Sequence, residues 1–390
     1  MVDPQGGKNR YENLVSLTPS GANINVTVAD DSTVTVDGVT TTTPSLDMLT
    51  STIATIGGGD VNVTSTGGSM DLGSQDLFTS VRQVGFGVYA AGAGNVNVTA
   101  YGDVDIDSSR IAAFNGGNIS VESQTGDVNV GSGGATVNGV SVSYVNPVTG
   151  LPGLYVEAVA GSGILASTLV SPSQVPGGAT IPGNITVNTP QGDIVADLGG
   201  ILQEALNGNV AAGPTIDLTA GTFPSGTPGS PGYIPGHAGN IDLGNSGVIG
   251  GTINLTVNGN ISGVVISRQN STINAAQNFT GTLLSAGSAD VAAGGSVSGT
   301  IIGVGGASVS GGSITASVLG QNVSVNGGAA TSTLGSSATA TSTSQSASQQ
   351  ASQSANQEVA STDTGDDKNK KKQPTLQRIK RVTVILPKAS

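Results

Sequence analysis

One short phrase recurs along this chain: glycine, then aspartate or asparagine, then apolar residues separated by single polar ones. Strict alternation of apolar and polar residues is the pattern of a β-strand with one buried face. Glycine followed by aspartate or asparagine favours a tight turn, because both tolerate positive φ angles. The phrase therefore predicts a repeating turn-and-strand unit, which reads GGDVNV at 58–63, GAGNVNV at 92–98, GGNISV at 116–121, PGNITV at 182–187 and AGNIDL at 238–243.

A second, similar phrase often follows after eight or nine residues, as from Asn95 to Asp103 and from Asn118 to Asp127. That offset fits one short strand plus one turn. Two or three such units make one coil, and stacked coils make a parallel β-helix. Small residues suit the corners, where coils lie about 4.8 Å apart, and asparagines at equivalent corners can form a hydrogen-bonded ladder.

We therefore predict an all-β chain with one parallel β-helix over residues 21–328, after an irregular lead-in at 1–20. About 13–15 coils would give a length of roughly 65 Å. An antiparallel β-sandwich remains an alternative, because it also uses short strands at regular spacing. The residues expected to point inward are Val61, Val63, Val96, Val98, Ile119, Val121, Ile185, Val187, Ile253, Leu255 and Val257.

Two stretches interrupt the repeat. Residues 144–182 contain five prolines and read as an insertion, and residues 223–236 form a Pro/Gly-rich loop. Insertions in a solenoid map to loops on one face, which is often the binding face. Residues 45–56 and 197–206 are each predicted to hold a short helix.

The composition excludes several classes of protein. The chain has no cysteine and one histidine, which excludes disulfide scaffolds, zinc fingers and thiol enzymes and argues against a Ser-His-Asp site. Aromatic residues are 3% of the chain, too few for a base-stacking surface. No apolar run approaches the ~20 residues that span a bilayer, so no transmembrane segment is expected.

The charges are divided between an acidic body and a basic tail. Residues 1–367 contain five basic and 25 acidic residues, a net charge of −20, whereas residues 368–390 contain eight basic residues and no acidic one. An acidic body repels nucleic acid, so no nucleic-acid partner is expected. Residues 329–367, rich in Ser, Thr, Gln and Ala, are predicted to be a disordered linker.

We expect the tail to move independently and to act in retention or anchoring. A polybasic segment gains about 1 kcal/mol per basic residue at an anionic membrane. The rival interpretation is that the apolar run 382–386 caps the open end of the solenoid. The anchoring candidates are Lys368, Lys370, Lys371, Lys372, Arg378, Lys380 and Arg381.

Asp103, Asp105 and Asp107 alternate with Val104 and Ile106. Three carboxylates on one strand face are a calcium candidate, since calcium prefers carboxylate oxygens. The alternative is a solvated strand face, because serines follow where a calcium loop needs a turn glycine. We expect no required metal or cofactor.

A catalytic interpretation also needs a test, because pectin-cleaving enzymes include parallel β-helices. This chain resembles polygalacturonases in its expected architecture, and those enzymes use clustered aspartates, a Gly-His-Gly and an Arg-Ile-Lys. Here only His237 and the tail segment 378–380 match. The paired aspartates needed for inverting hydrolysis are missing before His237, so no catalytic residues are predicted.

Ten Asn-x-Ser/Thr triplets occur in the chain. In a secreted eukaryotic protein they would be glycosylation sites. A corner asparagine followed by an alternating strand with outward threonines produces the same triplet. The asparagines are Asn25, Asn62, Asn97, Asn118, Asn184, Asn254, Asn260, Asn270, Asn278 and Asn322.

The repeated phrases GDVNV, GNVNV and GNITV resemble those of the filamentous haemagglutinin-like exoproteins of bacterial two-partner secretion. The resemblance covers residues 21–328, and the basic stretch with Arg-Val-Thr-Val-Ile-Leu-Pro looks like the C-terminal end of such an exoprotein. It implies a right-handed parallel β-helix, an outer-membrane transporter as partner, and adhesin activity at the bacterial surface or in the medium. The receptor or glycan is unknown.

The chain departs from this family in two ways. The only Asn-Pro pair, Asn146-Pro147, is not in the position of the family's secretion motifs, and residues 1–15 lack the apolar core of a signal peptide. We therefore expect a C-terminal piece of a longer protein. The lead hypothesis is a non-catalytic adhesin-like fibre. The alternatives are a polysaccharide lyase or glycosidase and a phage tail fibre or spike.

Overall fold

The structure of the chain, a computed structural model, describes residues 21–327 except 38, 49–50, 74–86, 132–136, 146–148, 150, 161, 169–179, 206–212 and 231–232. The predicted lead-in, linker and tail lie outside the described residues. Within the described residues, regular structure consists of β-strands alone, numbered β1 to β32 in chain order.

Sixteen of the described strands lie before residue 170. They are β1 (Ile24–Val28), β2 (Ser32–Val36), β3 (Val39–Thr43), β4 (Leu46–Asp47), β5 (Thr52–Thr55), β6 (Val61–Ser65), β7 (Met70–Asp71), β8 (Gly87–Ala90), β9 (Val96–Ala100), β10 (Val104–Asp105), β11 (Arg110–Phe114), β12 (Ile119–Ser123), β13 (Val128–Asn129), β14 (Val137–Val145), β15 (Pro152–Ala160) and β16 (Gly163–Ser167).

The strands after residue 180 include β24, β26 and β28, the longest strands of the two parallel sheets. They are β17 (Ile185–Thr189), β18 (Ile194–Val195), β19 (Gly200–Glu204), β20 (Thr215–Ala220), β21 (Ile241–Asp242), β22 (Val248–Gly250), β23 (Thr252–Val257), β24 (Ile261–Ser267), β25 (Ser271–Ala275), β26 (Phe279–Ser285), β27 (Ser288–Ala293), β28 (Ser296–Gly303), β29 (Gly306–Gly311), β30 (Ser313–Ile314), β31 (Ser317–Gly320) and β32 (Val323–Gly327).

Two long parallel sheets contain nearly all of these strands. Sheet A has eleven strands, paired in the order β1, β6, β9, β12, β17, β20, β23, β25, β27, β29 and β32. Sheet B has seventeen: two from each of the first six repeats, one from each of the next three, and two, β30 and β31, from the tenth. A repeat here means one strand of sheet A and the sheet B strands that follow it.

The two columns of sheet B merge at β24. Ile261 of β24 lies opposite Ile241, and Val265 of the same strand lies opposite Val248. From this point β24, β26 and β28 each replace two strands with one. The chain therefore passes alternately through sheet A and sheet B, always in the same direction.

This pairing confirms an all-β chain with long parallel sheets and shows that the antiparallel sandwich is wrong. Within the described residues, antiparallel strand pairs are confined to the hairpins β2–β3 and β14–β15. Two isolated antiparallel bridges also close the Pro/Gly loop, joining Thr222 to His237 and Ser225 to Ile234.

The predicted 13–15 coils are too many, because sheet A has eleven strands. The equivalent residues Asn118 and Asn184 are 66 positions apart, whereas Asn270 and Ser288 are 18 apart. Some corners carry long insertions, which we call excursions. They contain residues that the prediction assigned to coils. One excursion, the β2–β3 hairpin, was missed, and the interruption predicted at 144 already begins at 137 with β14.

The two predicted helices are wrong. Strands β4 and β5 lie in segment 45–56, and β19 lies in segment 197–206. Isolated helices of this length are marginal in water. In sheet B, β19 pairs with a strand on each side, and β4 and β5 each pair with one strand at the edge of the sheet. Tertiary pairing therefore overrides the local preference.

The core lies between the two sheets and runs the length of the stack, from Met48 to Val323. All eleven residues predicted to point inward are at most 1% exposed. Residues between them on the same strands face outward, as in β9, where Asn97 is exposed between buried Val96 and Val98. The alternation prediction is therefore confirmed.

Asparagine and aspartate at the corners connect one repeat to the next. The backbone N–H of Asn184 donates to Oδ1 of Asn118 at 2.8 Å, and that of Asn118 donates to Oδ1 of Asn95 at 3.0 Å. At a second corner the N–H of Asp193 donates to Asp127 at 2.7 Å. The predicted ladder exists, with the backbone amide as its main donor.

The glycine before each of these residues is needed for close approach. A Cβ on Gly117 would lie 1.9 Å from the carbonyl oxygen of Gly94, and one on Gly183 would lie 2.0 Å from that of Gly117. These distances are far below van der Waals contact. The phrase Gly-Asx thus places a residue without a side chain where the previous repeat's carbonyl lies.

We predict that Gly117→Ala lowers the free energy of unfolding by about 1–3 kcal/mol, because two repeats must separate to admit the methyl group. Gly200→Ala is the matched control, since its Cβ would meet only side-chain atoms of Leu202 at ordinary contact distance. The urea unfolding midpoints of the two variants measure the difference. Equal midpoints would contradict the close-approach argument.

Candidate functional site

A row of carboxylates crosses the outer face of sheet B near its beginning. Asp47, Asp71 and Asp105 occupy equivalent positions on β4, β7 and β10, and Asn129 continues the row on β13. Adjacent strands in a sheet lie about 4.8 Å apart. We call these four residues the acidic row. Like charges placed directly opposite on neighbouring strands destabilise a sheet.

The structure separates the three aspartates proposed for calcium. Asp103 is exposed at the corner, and its Oδ1 accepts the N–H of Asp127 at 2.8 Å. Asp105 lies half-buried in the acidic row. Asp107 is 4% exposed and has a φ of 49°, just beyond the strand. In the described part of the chain, no three His, Cys, Asp or Glu side chains form a group that can hold a metal ion.

Burial and crowding raise the pKa of two aspartates in the acidic row. Burial raises the pKa of Asp105 from 3.8 to about 6, and Asp103, Asp107 and Asp71 add to the shift, while a hydrogen bond with Asn129 opposes it. Burial also raises the pKa of Asp71, against a hydrogen bond from the N–H of Gly73. The pKa of Asp105 therefore lies about two units above that of an ordinary aspartate.

We predict that Asp105→Asn stabilises the protein above pH 6. The gain should be on the order of 1 kcal/mol, because partial solvation of the side chain keeps the cost of its charge small. The folded pKa lies above the unfolded value, so the ionised carboxylate costs stability at high pH. The gain should fade as the pH falls from about 6 to about 4. Urea unfolding at several pH values tests this, and a gain independent of pH would contradict it.

We also predict that calcium does not stabilise the fold through these aspartates. Any change in melting temperature that millimolar calcium causes should be the same for the unsubstituted protein and for an Asp103→Asn, Asp105→Asn double variant. Differential scanning calorimetry with and without a chelator measures this. A strong rise in melting temperature that the double variant loses would establish a calcium site.

The outer face of sheet A carries rows of amide and hydroxyl groups. Nδ2 of Asn97 donates to Oδ1 of Asn62 at 2.8 Å, and Asn62 donates to Asn25 at the same distance. Farther along, Nδ2 of Asn254 donates to Asp217 at 2.7 Å. We call the outward side of sheet A the polar face. Its outward threonines include Thr27, Thr64, Thr99, Thr186, Thr219, Thr256 and Thr272.

These rows also explain most of the Asn-x-Ser/Thr triplets. Asn25, Asn62, Asn97 and Asn254 are outward strand positions of sheet A. Others lie at corners, where Asn270 and Asn278 accept the backbone N–H of Ser288 and Ser296. In both settings the asparagine bonds to a neighbouring repeat, which gives the triplet a structural reason.

His237 lies at the base of the Pro/Gly loop. Its side chain is exposed, and its carbonyl oxygen accepts bonds from the N–H of Thr222 and from Nδ2 of Asn258, both at 2.9 Å. The segment 378–380 and the anchoring candidates of the tail lie outside the described residues. His237 thus stabilises the base of the loop through hydrogen bonds to its backbone carbonyl.

Sequence reasoning missed an apolar cluster on the outside of sheet B. Tyr89 and Phe114 are buried and meet edge to face with ring centroids 6.2 Å apart. Burial lowers the pKa of nearby Arg110 to about 10, against the opposing influence of Tyr89. Tyr89 and Phe114 lie in runs of consecutive apolar residues, and such runs do not indicate which residue faces outward.

Comparison of the chain with protein-family models, with curated proteins and with solved structures finds no match. Because the described residues form strands alone, they provide no membrane-spanning helix.

Proposed function

We propose that this chain is a right-handed parallel β-helix that serves as a non-catalytic, adhesin-like fibre. In this proposal it is secreted or held at a bacterial surface and is exported by an outer-membrane transporter of the two-partner type. The export route and the location rest on the resemblance of the repeated phrase to filamentous haemagglutinin-like exoproteins.

The continuous alternation between two parallel sheets supports the β-helix. Each connection leaves sheet A, passes through sheet B and returns to sheet A beside the strand it left. Connections between parallel strands are right-handed in about 98% of known cases. At about 4.8 Å per repeat, eleven repeats give a rod of roughly 50 Å.

The polar face is the observation that carries the binding proposal. It presents amide and hydroxyl groups in rows that repeat once per strand, and it is bonded into a fixed array, as between Asn97 and Asn62. Hydroxyl-rich polymers such as glycans offer matching donors and acceptors at repeated spacing. Many weak contacts in register give avidity without any single deep pocket.

The roles of the asparagines and aspartates support a non-catalytic fibre. Oδ1 of Asp127 and of Asp193 accepts the backbone N–H of the following repeat, and so does Oδ1 of Asn118. General acid–base catalysis needs a group within reach of substrate protons. Groups that hold the stack together are poorly placed for that task.

We predict that Ser120→Arg with Thr186→Arg weakens glycan binding at least tenfold. These exposed residues are neighbours across β12 and β17 on the polar face, and two long cations there disrupt the array. The matched control is Thr280→Arg with Ser298→Arg, which are neighbours across β26 and β28 on sheet B. Binding is measured on a glycan array and by adhesion to coated surfaces, with circular dichroism as the folding check.

Equal loss of binding in both variants would refute the polar face as the binding surface. Failure of the unsubstituted protein to bind any glycan or cell surface would contradict the adhesin proposal. Release of reducing or unsaturated sugars from a polysaccharide would favour the enzyme alternative. A trimer in analytical ultracentrifugation would favour a phage tail fibre or spike.

A further inference from the structure

An apolar row runs along the outer face of sheet B, on the side opposite the core. Strand register places its members directly beside one another, each on the next strand of the sheet. We call it the outer apolar row. Its members are Ala54, Tyr89, Ala112, Leu165, Leu202, Ile249, Ile266, Leu284, Ile302 and Leu319.

The row has a covered half and an open half. Tyr89, Ala112 and Leu165 are at most 8% exposed, although they point away from the core. In contrast, Leu284 is 40% exposed and Leu319 is 38% exposed. Val304, at the corner beside Ile302, is 53% exposed and widens the open half.

The rim of the open half differs between its two sides. On one side the next outward position on the same strands is occupied by Val264, Thr282, Thr300 and Ser317, which lie in register and carry no charge. On the other side exposed Arg268 occupies the position that corresponds to Val304. A continuous apolar patch with a polar rim marks an interaction site on a soluble protein.

Nothing within the repeats of the open half can cover it. Repeats from β25 onwards follow each other at 18 residues, as between Asn270 and Ser288 or Asn278 and Ser296. They consist of strands and corners with no excursion. The occupant must therefore come from another part of this chain or from another molecule.

We propose that the C-terminal segment 376–386 of this same chain packs along the open half of the outer apolar row. Among the 63 residues that follow Gly327, most of the large apolar side chains lie in this segment. They are Leu376, Ile379, Val382, Val384, Ile385 and Leu386. In an extended strand, Val382, Val384 and Leu386 share one face.

Length permits this docking. The open half from Ile249 to Leu319 crosses four strand intervals, about 19 Å at 4.8 Å each. Residues 382–386 in extended form span roughly 17 Å. The 54 residues between Gly327 and Val382 can span far more than the length of the row, since an extended chain covers about 3.3 Å per residue, so the segment can reach every part of it.

Net charge favours the tail over a second copy of the chain at long range. Residues 368–390 carry eight basic residues, whereas residues 1–367 carry a net charge of −20, so two bodies repel each other. The open half itself adds no attraction, because residues 249–327 contain one acidic residue, Asp290, and one basic residue, Arg268. Covalent attachment adds an effective concentration in the millimolar range, which a second molecule lacks. Docking on the side of the stack is a third interpretation of the tail, beside anchoring and end-capping.

Because the chain has no cysteine, introduced cysteines test this directly in the full chain. We pair Thr300→Cys, on the rim of the open half, with Thr383→Cys and measure intrachain crosslinking by a short bismaleimide. The matched control pairs Thr383→Cys with Thr272→Cys on the polar face, where exposure is similar. We expect crosslinking at Thr300 to be at least tenfold faster.

A second pair of variants tests whether the apolar row causes the effect. Adding Leu284→Ser and Ile302→Ser to the Thr300 pair removes apolar surface without adding charge and should reduce its crosslinking rate to that of the control. Both side chains face outward, so the melting temperature of the body should change little. Equal rates at Thr300 and Thr272 overturn the proposal. Crosslinks mainly between chains would identify a second copy as the occupant and also overturn it.

Discussion

Every repeat of this protein is held to the next by parallel strands in strict register, and the corners decide how closely they approach. The corner oxygen of Asn118 accepts the backbone N–H of Asn184 at 2.8 Å, while Gly183 leaves room for the carbonyl of Gly117. Either contact depends on the other, because the hydrogen bond forms only at that separation. The Gly-Asx phrase therefore encodes contact between repeats as much as it encodes a turn.

Strict register turns single residues into rows, and each row has its own chemistry. Burial raises the pKa of Asp105 to about 6, and the nearby carboxylates of Asp103, Asp107 and, in the next strand of the row, Asp71 add to the shift. Amides in a row bond to each other, as Asn97 does to Asn62. Apolar residues in a row form a continuous patch, as from Leu284 to Leu319. The surface properties of such a stack therefore belong to rows of equivalent residues rather than to single residues.

Excursions from the corners divide the stack into two parts. The earlier repeats carry them, including the hairpins β2–β3 and β14–β15, and there the outward aromatic residues of sheet B are buried. The later repeats have none and leave the outer apolar row open. Because each repeat contacts mainly its neighbours, a solenoid tolerates long insertions in some repeats without disturbing others. The polar face of sheet A is continuous through both parts.

Local sequence determined which residues of a phrase point inward, because a period of two is fixed by strand geometry: Val61 and Ile119 are buried as the alternation predicts. It did not determine which strands pair, since Asp71 and Asp105 lie beside each other although they are 34 positions apart in the sequence. Nor did it distinguish Leu283 from Leu284, an apolar pair of which only the first enters the core. Pairing with the next repeat decided that, and so only the tertiary structure created the acidic row and the outer apolar row.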